Sequence, residues 1–264
     1  MHSKALYASL AGLAGALWLA APGAGASPGL QTHGQLIHVR ANTNQSSNWF
    51  GYDQGSVALG GTLFTSISGD WTVPSASEHT AGQAADSSDW IGIGGGCVDA
   101  GCTVGDETLI QTGTEQDSDG TYDAWWELVP APSISISMTV APGDHMHASI
   151  AELVPLSNVW AITLQDVTRG ETFTQTVPYA STHLTAEWIE ETPLLLGTDA
   201  GFAALPNLTT IPFFDATVNG QNANLDASQE IDLIDSNGNV IGTPSAPTSS
   251  RDGFDVCAWA TTCS

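Results

Sequence analysis

The chain has 264 residues, and its 28 acidic side chains face only 4 basic ones, a formal charge of −24 at neutral pH. The basic residues are Lys4, Arg40, Arg169 and Arg251. So sparse a set excludes nucleic acid and anionic membrane as partners, and excludes a fold held by ion pairs at neutral pH. The 42% hydrophobic content, with the acids scattered rather than clustered, belongs to a chain that buries a core. Most carboxylates lack a basic partner, so a working environment near their pKa values, about 4, is expected. High salt in a halophile would screen the same excess.

The N-terminus reads as a signal peptide over residues 1–26. It has a basic start at Lys4, an Ala/Leu-rich run to Ala21 and an A-x-A site ending at Ala26, which predicts secretion and no stable membrane association. Residues 27–47 are polar and irregular and read as a flexible leader or short pro-segment. A single domain follows over 48–264. Export permits disulfides, and the four cysteines form two close pairs, Cys97 with Cys102 and Cys257 with Cys263. Local pairing is the simplest of three connectivities, with the crossed ones left open.

From Asn48 onward the text is strand-like. Ile134, Ile136, Met138 and Val140 alternate with Ser and Thr, and the turn Pro142-Gly143-Asp144 precedes a second alternation at Met146, Ala148 and Ile150. Trp160, Ile162 and Leu164 continue it, then a turn at Thr168-Arg169-Gly170 leads to a strand through Phe173. Ile231, Leu233 and Ile234 run into Asp235-Ser236-Asn237-Gly238, a hairpin signal. With no helical period, the fold class is all-β: an antiparallel β-sandwich of two packed sheets, jelly-roll or lectin-like. A monomer is expected.

Several chemistries are absent from the text. There is no H-E-x-x-H, no G-x-S-x-G and no pair of hydrophobic-Asp-Thr/Ser-Gly motifs. His145-Met146-His147 sets two imidazoles on one strand face, which reads as a solvated strand rather than a metal site. Three segments stand out instead. Leu109-Ile110-Gln111-Thr112-Gly113 is an apolar strand end with a glutamine before a turn. Tyr122-Asp123-Ala124-Trp125-Trp126-Glu127 puts Asp123, Trp125 and Glu127 on one strand face. Ala186-Glu187-Trp188-Ile189-Glu190-Glu191 puts Glu187, Ile189 and Glu191 on one face, its two glutamates ~13 Å apart at strand rise. Carboxylates beside aromatics on a sheet suit either a solvated outer face or a cleft with perturbed carboxyls.

At these residues the chain resembles the glutamic peptidases, or eqolisins, as a secreted member of bacterial type. The resemblance covers about residues 47 to 256. It rests on six stretches in the family's order: Ser47-Asn48-Trp49, Thr72-Val73-Pro74-Ser75, Trp90-Ile91-Gly92-Ile93, Leu109 to Gly113, Tyr122 to Glu127 and Ala186 to Glu191. It implies a two-sheet sandwich with a catalytic Gln111 and Glu191 on the concave face. Trp90, Asp123, Trp125, Glu127 and Glu187 would be supporting cleft residues. The implied activity is endopeptidase action on polypeptides at acid pH, with no metal or organic cofactor. Two departures stand out. Gly94-Gly95 replaces the family's Asp-Gly, and only about twenty residues separate Ala26 from Asn48, which argues against latency by a pro-segment.

The residue types suit the chemistry. Glutamate, with a pKa near ~4, can activate water and return a proton in acid, where a histidine would stay protonated. Glutamine offers an acceptor for water and an NH2 for the oxyanion, and neither titrates. Asp123, Glu127 and Glu187 are expected to share protons with Glu191. A secreted carbohydrate-binding or glycoside-cleaving sandwich is the alternative from another class, since glycosidases also pair carboxylates. A surface adhesion module is a third.

Overall fold

The structure is a computed structural model that describes residues 31–35, 37, 44–195 and 201–264. The proposed signal peptide lies outside the described residues. In chain order the strands used below are β1 (Gln31–Thr32), β2 (Trp49–Gly55), β3 (Ser66–Thr72), β4 (Asp86–Gly94), β5 (Leu109–Asp117), β6 (Tyr122–Leu128) and β7 (His145–Glu152). They continue with β8 (Val159–Asp166), β9 (Glu171–Pro178), β10 (Thr185–Glu191), β11 (Leu194–Leu195), β12 (Ile211–Val218), β13 (Glu230–Ile234), β14 (Val240–Pro244) and β15 (Phe254–Ala258). No α-helix occurs among the described residues.

These strands form two packed layers. One layer runs β9-β8-β7-β3-β12-β15-β14-β13, and the other runs β13-β2-β10-β4-β5-β6, so β13 carries the hydrogen-bond ladder from one layer into the next. All these neighbours are antiparallel. The expected sandwich is therefore present, nearly closed on itself through β13. The core between the layers takes Phe50, Tyr52, Ile91, Ile93, Ile110 and Trp188 from the second layer. It takes Trp71, Met146, Ile150, Trp160, Ile162 and Phe213 from the first, and all are buried. Each such side chain stabilises by roughly 1.5–3 kcal/mol on leaving water.

Period-2 alternation placed most strands correctly. Met146, Ala148 and Ile150 lie on β7, and Trp160, Ile162 and Leu164 on β8. β13 and β14 pair across the Asp235 turn, where the Asp235 N–H meets Asn239 O at 2.9 Å. Two readings change. The strand begun at Ile134 stops at Ile136. Met138 and Val140 pack as irregular chain beside the core, because alternation tracks burial and not ladder pairing. Gly113 is no turn but the middle of β5, opposite Trp90. A Cβ there would lie 2.1 Å from Asp89 O and 2.5 Å from Trp90 Cβ, so glycine permits this close packing.

The cysteines pair locally, Cys97–Cys102 and Cys257–Cys263. Gly94 has φ +97°, and a Cβ would fall 2.0 Å from Thr108 O. A side chain of the family's kind therefore has no room at this position. Gly94→Asp is expected to lower stability by about 1–3 kcal/mol through backbone strain alone, readable as a lower midpoint in urea.

Candidate active site

The second layer turns one face to the core and the other to a cleft. Antiparallel register places Glu191 of β10 opposite Ser88 of β4 and Trp49 of β2. It places Gln111 of β5 opposite Gly92 of β4 and Glu127 of β6, and Gly113 opposite Trp125. With side chains alternating along each strand, Trp49, Trp90, Gln111, Trp125, Glu127, Ile189 and Glu191 share the cleft face. The aromatic and aliphatic members form a cluster separate from the main core. Glycines 92 and 113 interleave with these large groups, and the tryptophan walls sink between the strands.

Gln111 and Glu191 are both fully buried. Trp90 Nε1 donates to Glu191 Oε2 at 3.0 Å, and Asn48 Nδ2 reaches Oε1 at 3.5 Å. Gln111 Nε2 donates to Glu127 Oε2 at 3.2 Å. Gln111 Oε1 has no protein partner. Burial first, then the nearby Glu127, pushes the Glu191 carboxyl well above the ordinary range. Burial also raises Glu127, against His33, Thr32 and Gln111, which favour its ionised form. The two glutamates are thus placed to share protons in acid.

The remaining expected site residues divide. Trp90, Trp125 and Glu127 surround the pair. Glu187 shares its face and is fully buried, but its electrostatic neighbours are Asp53 and Asp106, and burial and these neighbours hold it well above the usual carboxylate range. Asp53, on β2, accepts from Cys97 N at 2.6 Å, and burial lifts it to about 7. Asp53 and Glu187 thus make a second acidic group farther along the sheet. Asp123 is exposed at the rim, opposite Glu115 in the ladder. The strands converge on one buried pair and leave Asp123 outside it, because two residues of strand rise carry it ~7 Å from Trp125.

The sequence reads residues 31–37 only as part of a flexible leader or short pro-segment. Their described part is not loose but lies across the cleft. β1 pairs antiparallel with β11, Thr32 opposite Leu194. The His33 N–H donates to Glu127 Oε2 at 2.9 Å, and Thr32 Oγ1 to Oε1 at 2.5 Å. His33 O accepts from Gln111 Nε2 at 2.8 Å, and the Gly34 N–H donates to Glu191 Oε1 at 3.1 Å. Gly34 O accepts from Trp49 Nε1 at 3.1 Å, Gln35 O from Asn48 Nδ2 at 3.0 Å, and Ile37 N donates to Asn48 Oδ1 at 2.9 Å. The His33 ring is fully buried and stacks on Trp125 with centroids 3.6 Å apart. Burial pushes its imidazole down to about 4, against the pull of Glu127. Asn48 and Trp49 stand in the Ser-Asn-Trp stretch, the one sequence signal that could have marked them.

A cavity of about 860 Å³ lies elsewhere, between Thr192, Phe202, Ile234 and Trp259. The cleft over Gln111 and Glu191 is filled by the strap. No group of three or more His, Cys, Asp or Glu able to hold a metal occurs among the described residues. His145 and His147 instead flank the Asp70 carboxylate at 2.7 and 2.6 Å.

The chain is thus a two-layer all-β sandwich with a buried glutamine and a buried glutamate on one cleft face. Known proteins share this architecture. Residues 47–254 match the model of the peptidase A4 family, and the chain belongs to that family, the glutamic peptidases. Scytalidopepsin B of Scytalidium lignicola is 29% identical over 205 residues, covering 74% of this chain and 72% of that protein. Aspergillopepsin-2 of Aspergillus niger is 27% identical over 184 residues, 60% of each. A crystal structure of scytalido-glutamic peptidase with a transition state analog inhibitor shares the fold, with TM-score 0.62 and 23% identity over 80% of this chain and 98% of that one.

Proposed function

We propose that this protein is a secreted endopeptidase that cuts polypeptides in acid, with Gln111 and Glu191 as its catalytic pair. The observation that carries the reading is the peptide group between His33 and Gly34, whose carbonyl oxygen meets Gln111 Nε2 while its N–H meets Glu191 Oε1. A cleft that binds both ends of one amide is matched to a peptide bond. Nothing comparable is needed for a glycosidic oxygen, which would require two carboxyls flanking the bond.

In this reading Glu191 takes a proton from water and later delivers it to the leaving nitrogen. Gln111 Oε1 orients the water, and Gln111 Nε2 stabilises the oxyanion. Trp90 fixes Glu191 through its Oε2. Glu127 orients Gln111 and exchanges protons with Glu191. Two disulfides fit an exported protein.

The purified protein incubated with a denatured protein at about pH 3.5 is expected to release peptides. It should leave polysaccharides intact and keep its activity in EDTA. Release of sugars alone, or loss of proteolysis on chelation, would overturn the reading.

A further inference from the structure

We propose that the peptide bond between His33 and Gly34 is this protein's own first substrate, cut in cis, and that its cleavage opens the cleft. The inference rests on the Gln111/Glu191 reading above and deepens it by naming the bond and the chain that presents it.

The strap is held as a substrate would be. Upstream of the bond, Gln31 and Thr32 add as a strand to Leu194–Leu195, the means by which extended peptides dock on sheet edges. At the bond, the two halves of the amide face the two members of the pair. Downstream, Trp49 and Asn48 take the carbonyls of Gly34 and Gln35. Every backbone contact from His33 to Gln35 is thus made by the cleft itself, and the bond is registered on the pair from both sides. The flat His33 ring occupies a slot against Trp125, with Glu115 at 3.6 Å and Glu191 at 3.8 Å from its nitrogens and Glu127 on its own backbone N–H. Neither ring nitrogen has a hydrogen-bond partner.

The step consumes one water. Its oxygen bonds to the His33 carbonyl carbon as one proton passes to Glu191. The C–N bond then breaks, and that proton goes to the Gly34 nitrogen. The products are a chain ending in the His33 carboxyl and a body beginning with the Gly34 amine. Acid also favours release of the first piece. Burial in the slot holds its imidazole down to about 4, against the pull of Glu127, so the ring protonates more readily in water than when seated there, and lowering the pH weakens its hold.

The test follows the full chain by intact mass and N-terminal sequencing after transfer from neutral buffer to about pH 3.5. The expected result is a single new N-terminus at Gly34, formed with a first-order rate constant unchanged by dilution. Gly34→Pro removes the N–H on Glu191 and should slow processing by about 100-fold or more. A synthetic peptide with the sequence of residues 28–37, given to processed enzyme, should be cut at the same bond, which keeps the test independent of how the variant folds. A chain that degrades added protein while retaining residues before Gly34 would overturn the proposal and leave the peptidase reading standing. So would a new N-terminus elsewhere, or a processing rate that rises with concentration. A folded chain that neither processes itself nor degrades protein would sink both.

Discussion

Glu191→Gln is expected to lower proteolysis by about 10⁴-fold, with the fold intact. The glutamine is nearly isosteric and its oxygen can still accept from Trp90 Nε1, although its NH2 then faces the donors Gly34 N–H and Asn48 Nδ2, so the main loss in rate falls on proton transfer. General acid–base groups supply about 10²–10⁴ in rate, and Glu191 serves in both halves of the reaction. Gln111→Ala should cost about 10²–10³, the range for one oxyanion donor. Its larger structural effect would leave the Glu127 carboxylate without its Gln111 contact. The two losses should not multiply in the double variant, since groups that act as a unit fail together. A further sign separates the roles. Burial raises the Glu191 carboxyl, so ionising it at neutral pH works against the fold. Glu191→Gln removes that penalty and should melt higher than the parent at pH 7 while being inactive. The measurement is initial rate on a denatured protein beside thermal melts. A folded Glu191→Gln with near-parental turnover would remove Glu191 from the mechanism.

The sandwich was legible because it is written in alternation; the resemblance picked out Gln111 and Glu191, and alternation gave the strand face on which Glu191 lies. A strand buried on one face spells its register in the sequence. Glu187, Ile189 and Glu191 therefore had to face together, and Glu190 had to face away. The structure bears this out. Glu190 enters the inter-sheet core, where Gln116 Nε2 reaches both its oxygens at 3.3 Å and Asp89 lies beside it. Alternation names a face but not a neighbour across the sheet. It could not tell that Glu187 would sit with Asp53 and Asp106, or that Asp123 would fall at the exposed rim. The strap was illegible for a different reason. β1 has two residues, too few for any period, and its contacts are backbone groups, which every sequence carries. A leader this short argues against latency by its length alone, yet its residues 31–35 lie over Gln111 and Glu191.

The protein should be most stable near pH 4 and should melt lower by roughly 10 °C or more at pH 8. Ten carboxyls are buried among the described residues, and only Asp144 and Asp166 meet an arginine, Arg169. Burial lifts Asp53 to about 7, and Glu190 to about 7; it lifts Asp117 to about 8, and Asp89 and Glu187 well up. For such groups the folded state binds more protons than the unfolded one between the unfolded value near 4 and the raised value. Stability therefore falls as pH rises through that window. Asp53 alone, lifted from the ordinary carboxylate range to about 7, accounts for a few kcal/mol, and at this chain length each kcal/mol moves the melting temperature by about 2–4 °C. The acid limit has the opposite cause. His145 and His147 hold Asp70 below its ordinary value, so that bridge persists above the unfolded pKa and is lost as pH falls through the folded one. Salt separates this account from simple repulsion among surface acids. About 0.5 M salt screens exposed charges within a few ångströms but leaves the desolvation of buried carboxylates in place, so it should restore only part of the loss at pH 8. Asp89→Asn removes one ionisable member of the buried pair with Glu190 and should recover stability at pH 8 but not at pH 4. Equal melting temperatures at pH 4 and pH 8 in low salt would show that these carboxyls do not set the acid preference.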